Sequence, residues 1–190
     1  MPFEVLPTTL DGPMLLQPRA FPDERGFFVE TYRRSDFMAL GIQEEMVQHN
    51  HSRSTRGVVR GMHFTVGRGA GKLVRCARGE IYDVLVDLRR GSPTHGEWEG
   101  YTLSDENLQI LYCPPGFGHG FCVVSDVADV TYLLDAYYDA ATEREISHAD
   151  PALGIVWPVP EKELQTSQRD LDAPTFAAVA ADLPFVYAIA

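Results

Sequence analysis

The chain has 190 residues, 45% hydrophobic and 23% charged, which suits one globular domain with one core and leaves too little for two. A formal net charge of -11 argues against nucleic-acid chains and anionic membranes as partners, but not against a small anion held by a local arginine cluster. No window reaches the roughly 18 consecutive apolar residues of a membrane span.

The start, Met1-Pro2-Phe3-Glu4, lacks the basic and apolar runs of a secretory signal. Prolines at positions 2, 7, 13 and 18 keep residues 1–20 extended and forbid a helix there. Phe21-Pro22-Asp23-Glu24-Arg25-Gly26 reads as a turn, followed by a short strand over Phe27–Tyr32. Ser35 is placed to cap one brief helix, Asp36–Leu40, which Gly41 would end. Strands then dominate. They are predicted over Val47–Ser52, Gly57–Phe64, Lys72–Ala77, Glu80–Leu88, Trp98–Leu103, Gln109–Cys113, Phe121–Val124 and Asp129–Leu134. Turn signals such as Arg78-Gly79, Arg90-Gly91-Ser92-Pro93 and Pro114-Pro115-Gly116 separate them. This pattern predicts an all-β sandwich or barrel, and a closed jelly roll fits the length while leaving a mouth for a ligand. After Trp157-Pro158 the character changes: Ser167 opens a turn, and the alanine-rich Pro174–Ala181 is expected as a helix outside the barrel. No repeat, linker or low-complexity block interrupts the chain. A single domain over 1–190 is expected, with an N-terminal arm over about 1–30 and a helical tail over about 165–190. Cys76, Cys113 and Cys122, odd in number and widely spaced, read as reduced strand residues of a cytoplasmic protein.

The stretch from Gln48 to Lys72 concentrates hydrogen-bonding side chains on strands: Gln48, His49 and Asn50, then Arg60 and His63, then Lys72. Folding alone seldom asks for that many. Strict alternation puts Arg60 and His63 on opposite faces, so either a bulge near Gly61 reunites them or they serve different ends of a ligand. His119, among Gly116, Gly118 and Gly120, stands where a rigid turn enters a strand, with backbone kept clear for something to approach. Taken singly, Tyr132 reads as a core or interface aromatic and Asp170 as a surface capping residue. His49-Asn50-His51 supplies a His-x-His, but Ser52–Gly57 holds no glutamate and the next acid, Glu80, is on a later strand. That is a poor metal set. No nucleophile elbow, activated cysteine, dinucleotide fingerprint or phosphate-binding loop is present.

The ordered motifs Asp23-Glu24-Arg25-Gly26-Phe27-Phe28-Val29-Glu30, Gln48-His49-Asn50-His51-Ser52, Val59-Arg60-Gly61-Met62-His63-Phe64, Lys72-Leu73-Val74-Arg75, Gly79-Glu80-Ile81-Tyr82-Asp83-Val84, Pro114–Phe121 and Ile155-Val156-Trp157-Pro158 carry a family resemblance. From about Phe21 to Pro174 the chain resembles the dTDP-4-dehydrorhamnose 3,5-epimerase family. The resemblance implies a cupin-like jelly roll without metal or other cofactor that forms a homodimer. It implies a dTDP-4-keto-6-deoxy sugar as substrate, dTDP-4-dehydro-6-deoxy-D-glucose, inverted at carbons 3 and 5 to dTDP-4-dehydro-L-rhamnose. By the same resemblance His63 is the base, steered by Asp170, and Tyr132 is the acid on the opposite ring face. Lys72 and His119 lie around the sugar. Arg25, Glu30, Gln48, Asn50, Arg60, Glu143 and Arg169 contact the substrate, with Arg25 and Glu30 reaching across the dimer. Thr65, Arg169, His49, His51 and the glycine-rich Val66–Gly71 loop depart from the family pattern. Relatives in antibiotic-sugar pathways share such departures, and some invert one carbon. A mono-epimerase of a related dTDP-4-keto-deoxysugar is therefore the alternative. A metal-dependent cupin enzyme and a non-catalytic sugar-binding barrel are the rival classes.

Overall fold

The computed structural model describes residues 2–188. It is an all-β jelly-roll sandwich with a few short helices. In chain order come β1 (Phe3–Leu6), β2 (Met14–Pro18), β3 (Ala20–Asp23), β4 (Gly26–Val29), α1 (Arg34–Ala39), β5 (Gln48–Thr55), β6 (Val59–Thr65), β7 (Lys72–Arg78) and β8 (Glu80–Asp87). They are followed by β9 (Trp98–Ser104), β10 (Ile110–Cys113), β11 (Phe117–Val123), β12 (Val127–Leu134), β13 (Glu143–Glu145), α2 (Gln168–Leu171) and α3 (Phe176–Val179). A six-stranded sheet runs β1-β2-β10-β7-β12-β5 and a five-stranded sheet runs β13-β6-β11-β8-β9, while β3 and β4 form a separate hairpin.

Period-2 alternation builds the core. Val74 and Cys76 of β7, Leu111 of β10 and Val130 of β12 meet Ile81 and Leu85 of β8, Leu103 of β9 and Phe121 of β11. Each such side chain removed from water contributes roughly 1.5–3 kcal/mol before the entropy of ordering it is counted. The opposite face of the five-stranded sheet is also covered. Met62, Phe64, Val84 and Val86 pack under Ile146 and Leu153 and, from the tail, Leu183 and Phe185. Strand β8 is therefore buried on both faces, which explains its near-continuous apolar run.

Several expectations are corrected. Ser35 does not cap α1: the helix starts at Arg34 behind Arg33, with no side-chain cap. Gly41, at φ +96°, does follow its end. The expected Phe27–Tyr32 strand is Gly26–Val29, and Ala20–Asp23 pairs with it, so the turn narrows to Glu24-Arg25. Pro22 is accepted because the hairpin lies outside both main sheets. Strand β11 begins at Phe117, not Phe121, so His119 lies inside a strand and not at its entrance. The helix expected over Pro174–Ala181 is the single turn α3 followed by a 3₁₀ turn, Ala180–Asp182. The last two residues of the expected tail, 189 and 190, lie outside the described residues.

Candidate functional site

An open cavity of about 580 Å³ lies between the two sheets. Alternation on β5 turns Gln48, Asn50 and Ser52 into it and His49, His51 and Arg53 the other way. The amides are held in place: Gln48 donates to Asn50 Oδ1 at 3.0 Å and accepts the Tyr138 backbone N–H at 2.8 Å. The His-x-His pair thus faces away from the cavity, and His51 instead meets Asp129 at 3.3 Å. Among the described residues no group of three or more His, Cys, Asp or Glu could hold a metal ion.

On β6 the parity conflict resolves through a bulge. His63 pairs with His119, yet Arg60 pairs with Phe121, so three steps on β6 match two on β11. Both Arg60 and His63 then line the cavity. The bulge needs glycine twice. A Cβ on Gly61, at φ +130°, would lie 2.5 Å from the Gly120 Cα; one on Gly120 would lie 2.6 Å from Met62 Sδ and 2.9 Å from the Arg60 carbonyl oxygen.

His63 Nε2 lies 2.6 Å from Asp170 Oδ1. Asp170 is not a surface cap but a buried carboxylate, 3% exposed. The cap is Ser167, whose hydroxyl accepts the Asp170 N–H at 3.2 Å and so starts α2 where the carboxylate reaches β6. Burial lowers the proton affinity of His63 below its ordinary value, the Asp170 hydrogen bond and charge oppose that, and Lys72 adds to the lowering. Lys72, at the head of β7, is 8% exposed and lines the cavity. Among the described residues no carboxylate pairs with its ammonium and no hydrogen bond engages it. Tyr132 lines the cavity from β12, opposite Asn50 on β5. His63 and Tyr132 therefore stand on different sheets, one on each wall. His119 is held on the His63 side by Asp83, its Nε2 3.1 Å from Oδ2.

Glu143 and Arg169 line the same cavity, brought in by β13 and α2. Arg25 and Glu30 do not. Arg25 pairs with Asp23 on the β3–β4 hairpin with 82% of its side chain exposed, and Glu30 pairs with Arg33 at 2.6 Å. Sequence reasoning missed Ser52, Tyr138 and Thr166, which also line the cavity. Ser52 shares the parity of Gln48 and Asn50 and was legible; the others sit on a loop and an irregular tail with no period to read. Burial pushes the Cys113 thiol up to about 12 and those of Cys76 and Cys122 up to about 11, so none is an activated nucleophile.

A cavity with a buried imidazole–carboxylate pair on one wall, a phenol on the other and an ammonium beside them can take a proton from one face of a ligand, return one to the other, and hold the negative charge in between. The family model described as dTDP-4-dehydrorhamnose 3,5-epimerase matches residues 7–178. A dTDP-4-dehydrorhamnose 3,5-epimerase of Neisseria gonorrhoeae is 45% identical over 174 residues; the match spans 92% of this chain but only 53% of that protein. A dTDP-4-dehydrorhamnose 3-epimerase of Streptomyces niveus is 44% identical over 169 residues, covering 88% of this chain and 81% of that one. The crystal structure of dTDP-6-deoxy-D-glucose-3,5-epimerase from Legionella pneumophila Philadelphia 1, in complex with dTDP-4-keto-L-rhamnose, is 40% identical and superposes with a TM-score of 0.94 over 98% of this chain and 100% of that one.

Proposed function

The chain belongs to the dTDP-4-dehydrorhamnose 3,5-epimerase family, and from that premise we propose that it inverts carbons 3 and 5 of dTDP-4-dehydro-6-deoxy-D-glucose to give dTDP-4-dehydro-L-rhamnose. The observation that carries this reading is the placement of His63, backed by Asp170, and Tyr132 on facing walls of one cavity. Both carbons are α to the 4-keto group, so loss of either proton leaves an enolate. With Nε2 donating to Asp170, His63 offers the Nδ1 lone pair as the base, and the buried carboxylate stabilises the imidazolium that forms. Lys72, itself only 8% exposed, stabilises the charge growing on the ketone oxygen. Tyr132 then delivers a proton to the other face, which inverts the centre. Gln48, Asn50, Arg60, His119, Glu143 and Arg169 hold the dTDP-sugar in register.

A second copy completes the site with Arg25 and Glu30. The support is the β3–β4 hairpin itself. It exposes Phe21 by 50%, Phe27 by 56% and Phe28 by 69%, more apolar surface than an isolated hairpin keeps in water without cost. The protein works as one domain in the cytoplasm, a reading supported by its three free, buried cysteines. A mixed dimer of Arg25→Ala and His63→Ala chains should recover activity that neither parent dimer has, because one of its two sites is intact. No recovery would remove the cross-chain role.

The deciding experiment is incubation with the 4-keto sugar in deuterated buffer, read by NMR at each carbon. Deuterium at carbons 3 and 5 is expected, abolished by His63→Ala, while Tyr132→Phe keeps exchange and loses net inversion. The similarity to the Streptomyces niveus 3-epimerase favours a second reading, which deuterium at carbon 3 alone would establish. No incorporation at either carbon would leave a binding barrel.

A further inference from the structure

Strand β13 pairs with β6 in the register Glu143↔Thr65, Arg144↔Phe64 and Glu145↔His63. Directly opposed residues of an antiparallel pair point to the same face, with Cβ atoms about 4.5–5.5 Å apart. Glu145 is therefore the cross-strand neighbour of His63. Its carboxylate is committed elsewhere: Glu145 Oε2 accepts from both Nε, at 3.0 Å, and Nη2 of Arg169. Arg169 immediately precedes Asp170, the carboxylate bound to His63. The four residues form a closed frame. Two sides are backbone, the β6–β13 ladder and the 169–170 peptide; two are side-chain rungs, His63–Asp170 and Glu145–Arg169.

We propose that Glu145 is a positioning residue of this site: by pairing with Arg169 it ties α2 to β13 and offsets most of the charge of a cation at the edge of the site, which the non-bonded Glu143 alone would otherwise balance. The inference rests on His63 being that base. Helix α2 spans only Gln168–Leu171, too short to hold itself in place without such ties. Asp170, on α2, depends on those ties, whereas the other groups around His63 are fixed by their own elements: Lys72 from β7, Glu143 from β13, Tyr132 from β12, His119 with Asp83 from β11 and β8, and Arg60 on its own strand. At the edge of the site, where the Glu145 and Arg169 side chains are 24% and 43% exposed, this pair can be split into a bare cation or a bare anion by one charge-removing substitution, isosteric in the case of Glu145→Gln.

The two halves of the pair then act on His63 with opposite signs. Glu145→Gln leaves the guanidinium with only the non-bonded Glu143 to offset it, which disfavours the imidazolium and lowers the pH at which His63 titrates. Arg169→Gln leaves a carboxylate beside the ring and raises it. The expected shifts are about half a pH unit each, the scale of a partly screened charge near a protein surface, and Glu145→Gln/Arg169→Gln should return to the wild-type midpoint. The test is the titration of ligand-free, isotopically labelled protein by NMR, with the His63 signal assigned by its loss in His63→Gln. Because no substrate is needed, the result stands whether or not the protein proves to be an epimerase. A role limited to packing would lower activity without moving the midpoint, so unmoved midpoints, or shifts of the same sign in both single variants, overturn the proposal. If Glu145→Gln protein is too unstable to titrate, the rise in Arg169→Gln and its reversal in the double variant decide the matter alone.

Discussion

Replacing Asp170 by Asn keeps the shape of the side chain and removes one charge 2.6 Å from His63 Nε2. In the native site two influences on the imidazole oppose each other. Burial disfavours its charged form, and the Asp170 hydrogen bond and charge favour it. Removing the carboxylate leaves burial and Lys72 acting in the same direction, so the proton affinity of His63 falls further. A hydrogen bond to a charged group is worth about 1.5–3 kcal/mol, which corresponds to roughly one to two pH units in the basicity of the ring. Asn also offers an amide N–H that competes for the ring nitrogen and can impose the wrong tautomer. Together these should lower kcat about 100-fold or more, within the range a positioned base supplies. KM should change much less, because Asp170 bonds to His63 and not to the β5 side chains proposed to hold the substrate. Initial rates of deuterium wash-in, measured from pH 5 to pH 9, check both points. The acid limb of the profile should move to lower pH, since the base stays unprotonated further down. A kcat within about threefold of wild type, or a limb that moves up, would refute the reasoning about how this pair works.

Lys72→Met should raise the melting temperature while reducing turnover at least tenfold, because it removes a nearly buried, unpaired ammonium from the fold and the enolate stabiliser from the reaction; a loss of stability would show that the ammonium is paired in solution. Gly120→Ala drives a Cβ to 2.6 Å from Met62 Sδ and 2.9 Å from the Arg60 carbonyl, so denaturant unfolding should show a cost of about 1–3 kcal/mol together with a loss of activity as the β6 bulge shifts. Stability should also fall on acidification. His63 and His148 both have proton affinities lowered by burial, so below the ordinary histidine value of 6.5 the unfolded chain binds more protons than the folded one. Urea midpoints should therefore drop as the pH falls below about 6.5, and His148→Gln should flatten that slope. Asp129, held down to about 2 chiefly by Arg53, acts only later, its contribution vanishing as the pH falls from 3.8 towards that value.

What the sequence disclosed follows the range of the forces involved. Strands β5 through β12 were legible because alternation is local and both sheets bury one face against the same core. Their ends were not, because β11 extends back to Phe117 only through its full-length pairing with β8. Parity also suffices to separate Gln48 and Asn50 from His49 and His51 on β5, a distinction that the polar stretch as a whole conceals. The Arg60–His63 relation could be posed from the sequence and not answered, since the bulge depends on Gly61 meeting Gly120 across a non-local ladder. Asp170 was invisible as a buried group for the same reason. A single-turn helix has no period, and only its docking on β6 takes the carboxylate out of water. Glu145 needed the three-residue β13, shorter than any pattern can reveal.

The charge balance inside the cavity shows how a chain of net charge -11 can hold a diphosphate. The global field repels anions, but over more than about 10 Å salt screens it, and the local set decides. Six basic side chains bear on the question, of which His119 is held by Asp83. Arg25 is paired with Asp23 on the outer hairpin and Arg169 with Glu145 at the cavity edge, so neither offers a free charge in the isolated chain. His63 is kept largely neutral by burial. Arg60, which meets only the Ser54 hydroxyl at 3.1 Å, and Lys72 are the cavity cations with no carboxylate partner among the described residues. Lys72 sits deep, at 8% exposure, whereas Arg60 is exposed. Lys72 is thus the shielded cation and Arg60 the accessible one, the order that the proposed roles of enolate stabiliser and phosphate contact require. Binding the diphosphate with one free arginine is weak for such an anion, which is the physical reason to expect Arg25 from a second chain: released from Asp23 by the ligand, it would supply the second guanidinium that the isolated cavity lacks.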